Sequence, residues 1–284
     1  MKMKRRSFLA GSLAGTANAA PAAGASTEWI DVHVYLSRWP FRKIIGDDTD
    51  PLAAQLRAHG VTQAWAGSFD TVFYKDMTAA NERLAAECRK HPGLLVPFGG
   101  VNPMLPDWEE DLRRCRETFH MPGIRIHPAY HNYNLAHPAA GRLFQLAAER
   151  GMVVQIAAWM EDERHQNPLM QVPKVDLSPL PGLLEKTPGL RVVVLNGTQG
   201  VPAAAKVLAA CRRFPNVAFD FAELDSLAEV RALINAAGLE RVVFGSYAPM
   251  FYFSSAVLKM REAGCTEVER RAILAENARR LMAR

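Results

Sequence analysis

The stretch GIRIHPAYHNYNLAHPAAGRLFQLAAERGMVVQIA, residues 123–157, contains one full unit of the pattern that decides the fold. Its two ends, 123–127 and 152–157, are short runs rich in Val and Ile, which predict strands buried on both faces. Between them lies a polar connection, followed by apolar residues at helical spacing. A strand, a helix and a second strand in this order predict a right-handed crossover between parallel strands.

The same alternation continues in both directions along the chain. Further strand candidates, also rich in Val, Ile and Phe, lie at 29–35, 62–68, 94–101, 190–196, 216–221 and 241–246. Eight strand–helix units within residues 26–284 predict an α/β fold, a single (β/α)8 barrel of the TIM type. An open, doubly wound sheet is the alternative, but it favours a Gly-rich phosphate-binding turn after its first strand, and the sequence has none there.

Several helix ends are also predicted by the sequence. Asp50-Pro51 predicts an N-cap followed by proline in the first turn, and Gly60 predicts the end of that helix. Capping boxes are predicted at Ser226 with Glu229 and at Thr266 with Glu269. Because no linker rich in Pro, Ser or Gly divides residues 26–284, we expect a single domain there.

The N-terminus has the pattern of an export signal. Residues 4–9, KRRSFL, contain a twin-arginine pair with the usual Phe-Leu after it, and a weakly apolar run of small residues follows. Ala17-Asn18-Ala19 and Ala23-Gly24-Ala25 are both Ala-x-Ala cleavage motifs. Residues 1–25 therefore predict a twin-arginine signal peptide, either cleaved or kept as an anchor, and export of the folded protein to the periplasm by the twin-arginine machinery. A disordered basic tail is the alternative.

Charge and composition narrow the classes of function. Of the formal net charge of +5, four positive charges lie in residues 1–25, which contain no acid. The remaining chain is nearly neutral, which argues against nucleic acid or acidic lipid as a partner. Apolar residues make up 49% of the chain and charged residues 22%, as is usual for globular proteins, and no unbroken apolar run of ~20 residues predicts a transmembrane bundle. We expect a small molecule as the partner, with an oligomer as an open possibility.

Four cysteines, Cys88, Cys115, Cys211 and Cys265, fall in helix-like stretches and have no C-x-x-C spacing. We expect buried free thiols rather than a zinc site, and a disulfide formed after export is the alternative.

Four segments, taken in chain order, carry a family resemblance. They are IDVHVY at 30–35, GIRIHP at 123–128, RVVFGSYAP at 241–249 and AILAENARRL at 272–281. Together they resemble the amidohydrolase superfamily, in the branch that contains aminocarboxymuconate semialdehyde decarboxylase and related hydrolases. The resemblance covers essentially the whole chain after the signal.

That resemblance implies a divalent metal ion at the carboxyl ends of the strands. Its usual ligands are a His-x-His pair on the first strand, a His ending the fifth and an Asp after the eighth, with a catalytic His ending the sixth. Here His33 matches the first of these residues. The other four positions hold Tyr35, Ala157, Asn196 and Tyr247. Because a metal site needs three or four converging ligands, we expect neither a metal nor another cofactor at this position. A rearranged site that uses His33, His127 and an acid from the loop after the fifth strand is the alternative.

Other polar residues fall at the predicted strand ends, where the active sites of TIM barrels lie. We expect a general base among the catalytic candidates His33, His127 and Asp70. The candidates for substrate binding are Tyr35, Arg125, Gln155, Trp159, Glu161, Asn196 and Tyr247. Arg125 would clamp an anionic group, and Asn196 or Tyr247 would polarise a carbonyl. An ion pair of Arg125 with Asp70 or Asp220 is the structural alternative.

Three functions are consistent with these residues. The first is an exported, metal-independent hydrolase of a small carboxylated or lactone-type substrate, since the resemblance includes the pyrone-dicarboxylate lactonase branch, which works without a metal. That branch retains an Asp after the eighth strand, where this chain has Tyr247. The second is an inactive exported barrel that binds a ligand or takes part in an assembly. The third is a metal-dependent amidohydrolase or decarboxylase with a rearranged site.

Overall fold

The computed structural model describes residues 28–198 and 200–283 of the 284-residue chain. The predicted signal peptide lies outside the described residues, so export stays a prediction. None of the helices in the described part combines the length and the apolar character that a membrane span requires.

Seven parallel strands form one sheet, in which each strand lies beside its neighbour in sequence. They are β1 (Trp29–Leu36), β2 (Val61–Ser68), β3 (Leu95–Gly100), β4 (Gly123–Ile126), β5 (Val153–Ala157), β6 (Arg191–Leu195) and β7 (Val217–Phe219). The order never reverses, as it would in a doubly wound sheet, so that alternative is wrong.

Helices follow the strands and cover the outside of the sheet. They are α1 (Thr49–Ala58), α2 (Asp70–Phe73), α3 (Met77–Arg89), α4 (Trp108–Glu117), α5 (Pro138–Glu149), α6 (Leu180–Lys186), α7 (Val201–Cys211), α8 (Leu227–Ala237), α9 (Phe253–Glu262), α10 (Glu267–Arg271) and α11 (Asn277–Met282). A 3-10 turn at Leu239–Arg241 and a π-helical turn at Ala272–Glu276 complete the set.

The eighth strand predicted at 241–246 is not formed. Segment 242–248 makes only isolated bridges to the two edge strands, one to β7 and one to β1. A regular ladder is interrupted because two backbone N–H groups of this segment have other acceptors. Phe244 N donates to Ile273 O at 3.0 Å, and Ser246 N donates to the Asp31 carboxylate at 3.0 Å. The prediction of eight strands is therefore only partly right.

Segment 242–248 still connects the two edges of the sheet. Val243 N donates to Phe219 O on β7 at 3.0 Å, and Val32 N on β1 donates to Phe244 O at 2.9 Å. Tyr35 N on β1 donates to Ala248 O at 2.9 Å. These bonds give the buried β7 and β1 edges partners that a free sheet edge would lack.

Apolar side chains fill the fold in three clusters. The largest lies between the sheet and the surrounding helices. A second fills the inside of the curved sheet, where Trp65 stacks on Phe98 with ring centroids 4.9 Å apart. Leu281 and other apolar residues of the C-terminal helices close this cluster from the amino-terminal end of the strands. The third cluster lies at the carboxyl ends of the strands and decides what the predicted site can do.

The helix ends match the sequence in part. The capping boxes at Ser226 and Thr266 are both present. The helix predicted to begin after Asp50 begins at Thr49, with Asp48 in the extended N-cap position, so Asp50 lies inside the first turn. Its carboxylate still suits that turn, because it faces the positive end of the helix dipole. All four cysteines are free thiols; three are buried and Cys265 is half-buried.

Candidate functional site

Arg125 lies at the centre of the barrel interior and is completely buried. It projects from β4, where three other strands converge on it. Its NH1 donates to Val34 O at 2.8 Å, its NH2 to Trp65 O at 3.0 Å, and its Nε to the Gln155 side chain at 2.8 Å. Its guanidinium also lies over the Tyr35 ring, 4.4 Å from the ring centroid. Burial lowers the pKa of Arg125, and the neighbouring tyrosines and Asp220 oppose that shift.

Neither role predicted for Arg125 is seen in this arrangement. Among the described residues, no carboxylate lies within ion-pair distance of its guanidinium, so the predicted pair with Asp70 or Asp220 is absent. Its donors are directed at backbone carbonyls and at Gln155, and Gln155 Nε2 donates in turn to Val32 O at 2.7 Å. Arg125 and Gln155 therefore link β1, β2, β4 and β5, whereas the sequence predicts that both contact substrate.

Asp31, His33 and Asp220 form a buried network at the ends of β1 and β7. His33 Nδ1 donates to Asp220 Oδ2 at 2.6 Å, and the other Asp220 oxygen accepts from Asn196 N at 2.8 Å. Asp31 accepts from His33 N at 3.0 Å and from the Ser246 hydroxyl at 2.5 Å. This network therefore joins β1 to the residues that follow β6 and β7 and to segment 242–248.

Burial shifts the pKa values of this network in opposite directions. Desolvation raises the pKa of Asp31 to about 7, although bonds from Ser246 and His33 oppose the shift. Desolvation lowers the pKa of His33, against the attraction of Asp220. Both shifts favour the uncharged form in the interior.

Tyr35 and His127 are in contact closer to the mouth of the barrel. The Tyr35 hydroxyl and His127 Nε2 are hydrogen bonded at 2.9 Å, while His127 Nδ1 is buried without a partner. His131, on the loop after β4, lies edge-on to His127 with ring centroids 5.6 Å apart. Burial lowers the pKa of His127 well below its ordinary value and that of His131 to about 4. Both imidazoles are therefore neutral at physiological pH.

Tyr247 occupies the position at which the resemblance predicts an aspartate ligand. Its backbone has a positive φ of 57°, and its hydroxyl donates to Met160 O at 2.6 Å. The ring stacks on His33 with centroids 4.4 Å apart and lies edge-on to Tyr35 at 5.7 Å. The phenol thus fills the space beside His33 and also connects segment 242–248 to the loop after β5.

Further aromatic side chains lie above these rings. Phe69 stacks on Tyr35 at 4.5 Å, and Trp39 lies edge-on to Phe69 at 5.2 Å. We call this set the aromatic cap: Tyr35, Trp39, Phe69, Phe73, Tyr130 and Tyr247. Under it, the exposed fractions of His33 and His127 are 1% and 0%. The predicted catalytic histidines are brought close together, but the structure seals them from solvent.

These residues do not fit the metal ion that the resemblance implies. Ala157 has no donor atom, and the Tyr247 hydroxyl is bonded to Met160 O. Asn196 Nδ2 donates to Trp159 O at 3.0 Å, and its Oδ1 is buried without a partner, but this one oxygen does not supply the three or four ligands that a metal ion needs. Within residues 28–198 and 200–283, no three His, Cys, Asp or Glu side chains are grouped so that they could hold a metal ion. The rearranged site with His33, His127 and a loop acid is also not formed, because Glu161 pairs with Arg42.

Asp70, the third predicted base, lies away from both histidines. It begins the short helix α2, and its carboxylate accepts from Arg83 at 2.8 Å. Together with Ser37 and Ser68 it lines a cavity of about 580 Å³ between the β1 and β2 ends and helices α1 and α3. Asp70 therefore does not share a site with His33 or His127.

A different cavity, which we call the rim cavity, opens between the loops that follow β5, β6 and β7. Its volume is about 530 Å³. Its walls carry Trp159 and, from the same loop, the run 162–164 and Lys174; the loop after β7 contributes Glu223 and Asp225, and the first turn of α8 contributes Glu229. Of the residues predicted for substrate binding, only Trp159 lines this cavity.

The acids on the β7 side were missed by the sequence reasoning. The run DFAELD at 220–225 follows the end of β7 directly, so three acids within six residues at a strand end were a signal that could have been used.

Comparisons with known proteins agree with this architecture. A family model described as Amidohydrolase matches residues 30–283. No curated protein sequence matches the chain.

Several solved structures share the fold. The 2,6-dihydroxybenzoate decarboxylase from Rhizobium matches over 90% of this chain and 98% of its own, with a TM-score of 0.72 and 16% sequence identity. The 5-carboxyvanillate decarboxylase from Sphingomonas paucimobilis matches over 90% and 99%, with a TM-score of 0.72 and 15% identity. The dihydroxybenzoic acid decarboxylase from Polaromonas sp. JS666, solved with bound manganese and 2-nitroresorcinol, matches over 90% and 96%, also at 0.72 and 15%. At these identities the likeness concerns the fold alone.

Proposed function

The chain belongs to the amidohydrolase family, and from this premise we propose that it is a member that binds a small ligand at the rim of its barrel and holds no metal ion at the centre. The proposal favours the second of the three functions derived from the sequence over the metal-independent hydrolase.

One observation carries the proposal: Tyr35 and Tyr247 fill the mouth of the barrel with their hydroxyls bonded. Both side chains are completely buried, one bonded to His127 and the other to Met160 O. A ligand that reached His33 would have to displace both rings and leave buried polar atoms without partners. Each such atom costs about 1–3 kcal/mol. The rim cavity, in contrast, is open without any rearrangement.

Metal analysis tests the first half of the proposal. The purified full chain is incubated with manganese or zinc, dialysed and analysed, with the Polaromonas sp. JS666 decarboxylase, which was solved with bound manganese, carried through in parallel as a positive control. We expect the metal content to stay far below one equivalent, and we expect no decarboxylation of 2,6-dihydroxybenzoate or 5-carboxyvanillate. Retention of one equivalent of metal, or either activity, would refute the proposal.

A second candidate function is metal-independent hydrolysis, and the His33–Asp220 pair favours it. An imidazole oriented by a carboxylate is the arrangement of a general base, and lactones are activated enough to need little more. For this function Tyr35 and Tyr247 must move aside to admit substrate and water.

A lactone and aryl-ester panel decides between the two candidates. Wild type is compared with His33→Ala and His127→Ala, and with Tyr247→Ala as the variant that opens the mouth. Under our proposal all of them lack turnover above the uncatalysed rate. Turnover by wild type that His33→Ala abolishes would instead establish the hydrolase.

We propose that the protein acts outside the bacterial cytoplasm, supported by the KRRSFL run at residues 4–9. The test replaces Arg5 and Arg6 by lysine and follows the protein in cell fractions. We expect the wild type in the periplasmic or membrane fraction and the variant in the cytoplasm. Equal export of both would contradict a twin-arginine route.

We also propose that segment 242–248 stands in for the eighth strand of a (β/α)8 barrel. Its hydrogen bonds to both β7 and β1 support this assignment, although it forms no regular ladder.

A further inference from the structure

The rim cavity has an excess of negative charge. Five acids line it, Asp162, Glu163, Glu223, Asp225 and Glu229, against two bases, Arg164 and Lys174. One of the two bases is already neutralised, because the Arg164 guanidinium donates to both oxygens of Asp162, at 2.6 Å from its NH2 and 3.0 Å from its Nε. The remaining lining therefore favours a cation.

Glu223 differs from the other acids because it is buried. Only 5% of it is exposed, and one carboxylate oxygen, Oε1, accepts from both the backbone N–H and the hydroxyl of Thr198. The other oxygen, Oε2, is buried and has no partner. A buried carboxylate oxygen that lies at a cavity wall without a hydrogen-bond donor can accept a hydrogen bond from a ligand.

Trp159, which lines the same cavity, also has an unpaired polar atom. Its indole Nε1 is buried without an acceptor. Its ring offers an aromatic face, which attracts organic cations. The cavity therefore presents an acceptor at Glu223, a donor at Trp159 and an ammonium donor at Lys174.

A metal ion does not suit this lining. Over the described parts of the chain, no three acidic, histidine or cysteine side chains approach one another closely enough to hold one. An organic cation needs no such convergence, because an ammonium group bonds carboxylates one at a time.

We propose that the rim cavity binds a small aliphatic ligand that carries an ammonium group and an oxygen acceptor, with the ammonium on Glu223 and the oxygen on Trp159 Nε1. This inference rests on the proposed function, for which it names the class of ligand.

The surroundings of Glu223 link this binding to pH. Desolvation and the neighbouring Asp220 raise the pKa of Glu223 to about 8, against the bonds from Thr198 and the charge of Lys174. Lys259, on α9, faces the same group of acids. In the empty site the Glu223 carboxyl is therefore largely protonated at pH 7, and an ammonium ligand must displace that proton. Affinity is expected to rise from pH 6.5 to pH 8.5.

Calorimetric titration of the purified full chain tests the proposal with four-carbon probes of matched length. The probes are 4-amino-1-butanol, butylamine, butane-1,4-diol and butanoate. We expect 4-amino-1-butanol to bind most tightly, at least ~10-fold better than the uncharged diol, because a charge-assisted hydrogen bond is stronger than a neutral one. Butylamine is expected to bind about 5-fold less tightly, since it lacks the oxygen for Trp159. Butanoate is expected to show no binding.

Variants locate the binding to the cavity. Glu223→Gln keeps the acceptor for Thr198 and removes the charge, and we expect it to lose at least ~10-fold in affinity for 4-amino-1-butanol, together with the pH dependence. Glu149→Gln makes the same change on the exposed face of α5 and is expected to bind as wild type does. Asp225→Asn alters an exposed wall residue, so it serves as a second variant if Glu223→Gln does not fold; about 3-fold weaker binding is expected.

Three results would overturn the inference: no binding of 4-amino-1-butanol by wild type, equal binding of the diol, or unchanged affinity in both Glu223→Gln and Asp225→Asn. These results are independent of the metal analysis. If the chain retains manganese but binds the amine at Glu223, the proposed function alone is refuted. If the chain is free of metal and does not bind the amine, this inference alone is refuted.

Discussion

Position 247 shows how one residue changes the chemistry available at a barrel mouth. A carboxylate there would offer a metal ligand, whereas the Tyr247 phenol offers bulk, a stacking face for His33 and one hydrogen bond to Met160 O. Burial raises its pKa well above the ordinary value, so it stays a neutral donor. The polar side chain at this position suggested an active site, but in the structure it contributes to packing.

The hydroxyl of Tyr247 is expected to stabilise the fold measurably. Tyr247→Phe keeps the ring but leaves the Met160 carbonyl without its donor, so we expect a loss of about 1–2 kcal/mol in the free energy of unfolding. Urea denaturation provides the measurement. Tyr252→Phe is the matched control, because its side chain is 74% exposed, and it should leave the stability unchanged. Equal stability of the two variants would argue against a structural role for the bond.

Asp31 is expected to make stability depend on pH. Its pKa lies at about 7 in the folded protein, above the ordinary 3.8, so the folded state holds a proton that the unfolded state has lost. This contribution to stability is fully present below pH 3.8 and is lost as the pH rises through 7. Relative to Asp31→Asn, the wild type should lose stability steadily between about pH 4 and pH 7 and level off above pH 8. Comparing both proteins at each pH cancels the opposite contribution of His33. A constant difference would show that Asp31 does not titrate in this range.

The sequence placed the site residues better than it assigned their roles. The resemblance located His33, Tyr35, Asn196 and Tyr247 at the strand ends, because strand alternation determines which side chains face inward. It could not predict that Tyr35 would bond His127 or that Arg125 would bond backbone carbonyls, since those contacts depend on how strands that are distant in sequence are placed around the barrel. The bond of Tyr247 to Met160 depends in addition on the path of a long loop. Loops of this length, such as 158–179, carry no periodicity from which their path can be predicted.

At the scale of elements, segment 242–248 departs most from expectation. Its sequence has the apolar character of a strand, and its bridges to β7 and β1 lie where an eighth strand would be. The departure arises from competition for its backbone groups by the Asp31 side chain and by residues 273 and 277. Sequence periodicity detects burial, but it does not detect such bonds from distant residues.

Asn277 at the start of α11 is expected to hold this segment in place. Its Nδ2 donates to Leu239 O at 2.9 Å and to Val242 O at 2.8 Å, and the residue is buried. Asn277→Ala removes both bonds, so we expect a loss of about 2–3 kcal/mol in the free energy of unfolding. Glu276→Ala, on the exposed neighbour, should change it little. Hydrogen exchange adds a local readout, because the amides of 242–248 should exchange faster in Asn277→Ala alone.

Across the whole molecule, the thiols test whether the fold depends on redox state. The four cysteines are unpaired, and burial raises the pKa of Cys88 to about 12 and that of Cys211 to about 11. We expect the thermal midpoint to be the same with and without reductant. In the native protein the half-buried Cys265 should react first with a thiol reagent, and all four should react after unfolding. A midpoint that falls on reduction would instead indicate a disulfide.

The hydrogen bonds at the centre of the barrel also limit which substitutions there are compatible with a stable fold. A metal-binding centre of the kind that the resemblance implies would require new ligands at 35, 157 and 247 together, and a replacement at 35 or 247 breaks a contact that now stabilises the fold. Replacing Tyr35 removes the partner of His127 and the ring beneath Arg125, and replacing Tyr247 leaves the Met160 carbonyl unpaired. A single replacement at either tyrosine therefore lowers stability before a set of metal ligands is complete, so such a site could not be built one residue at a time without a loss of stability.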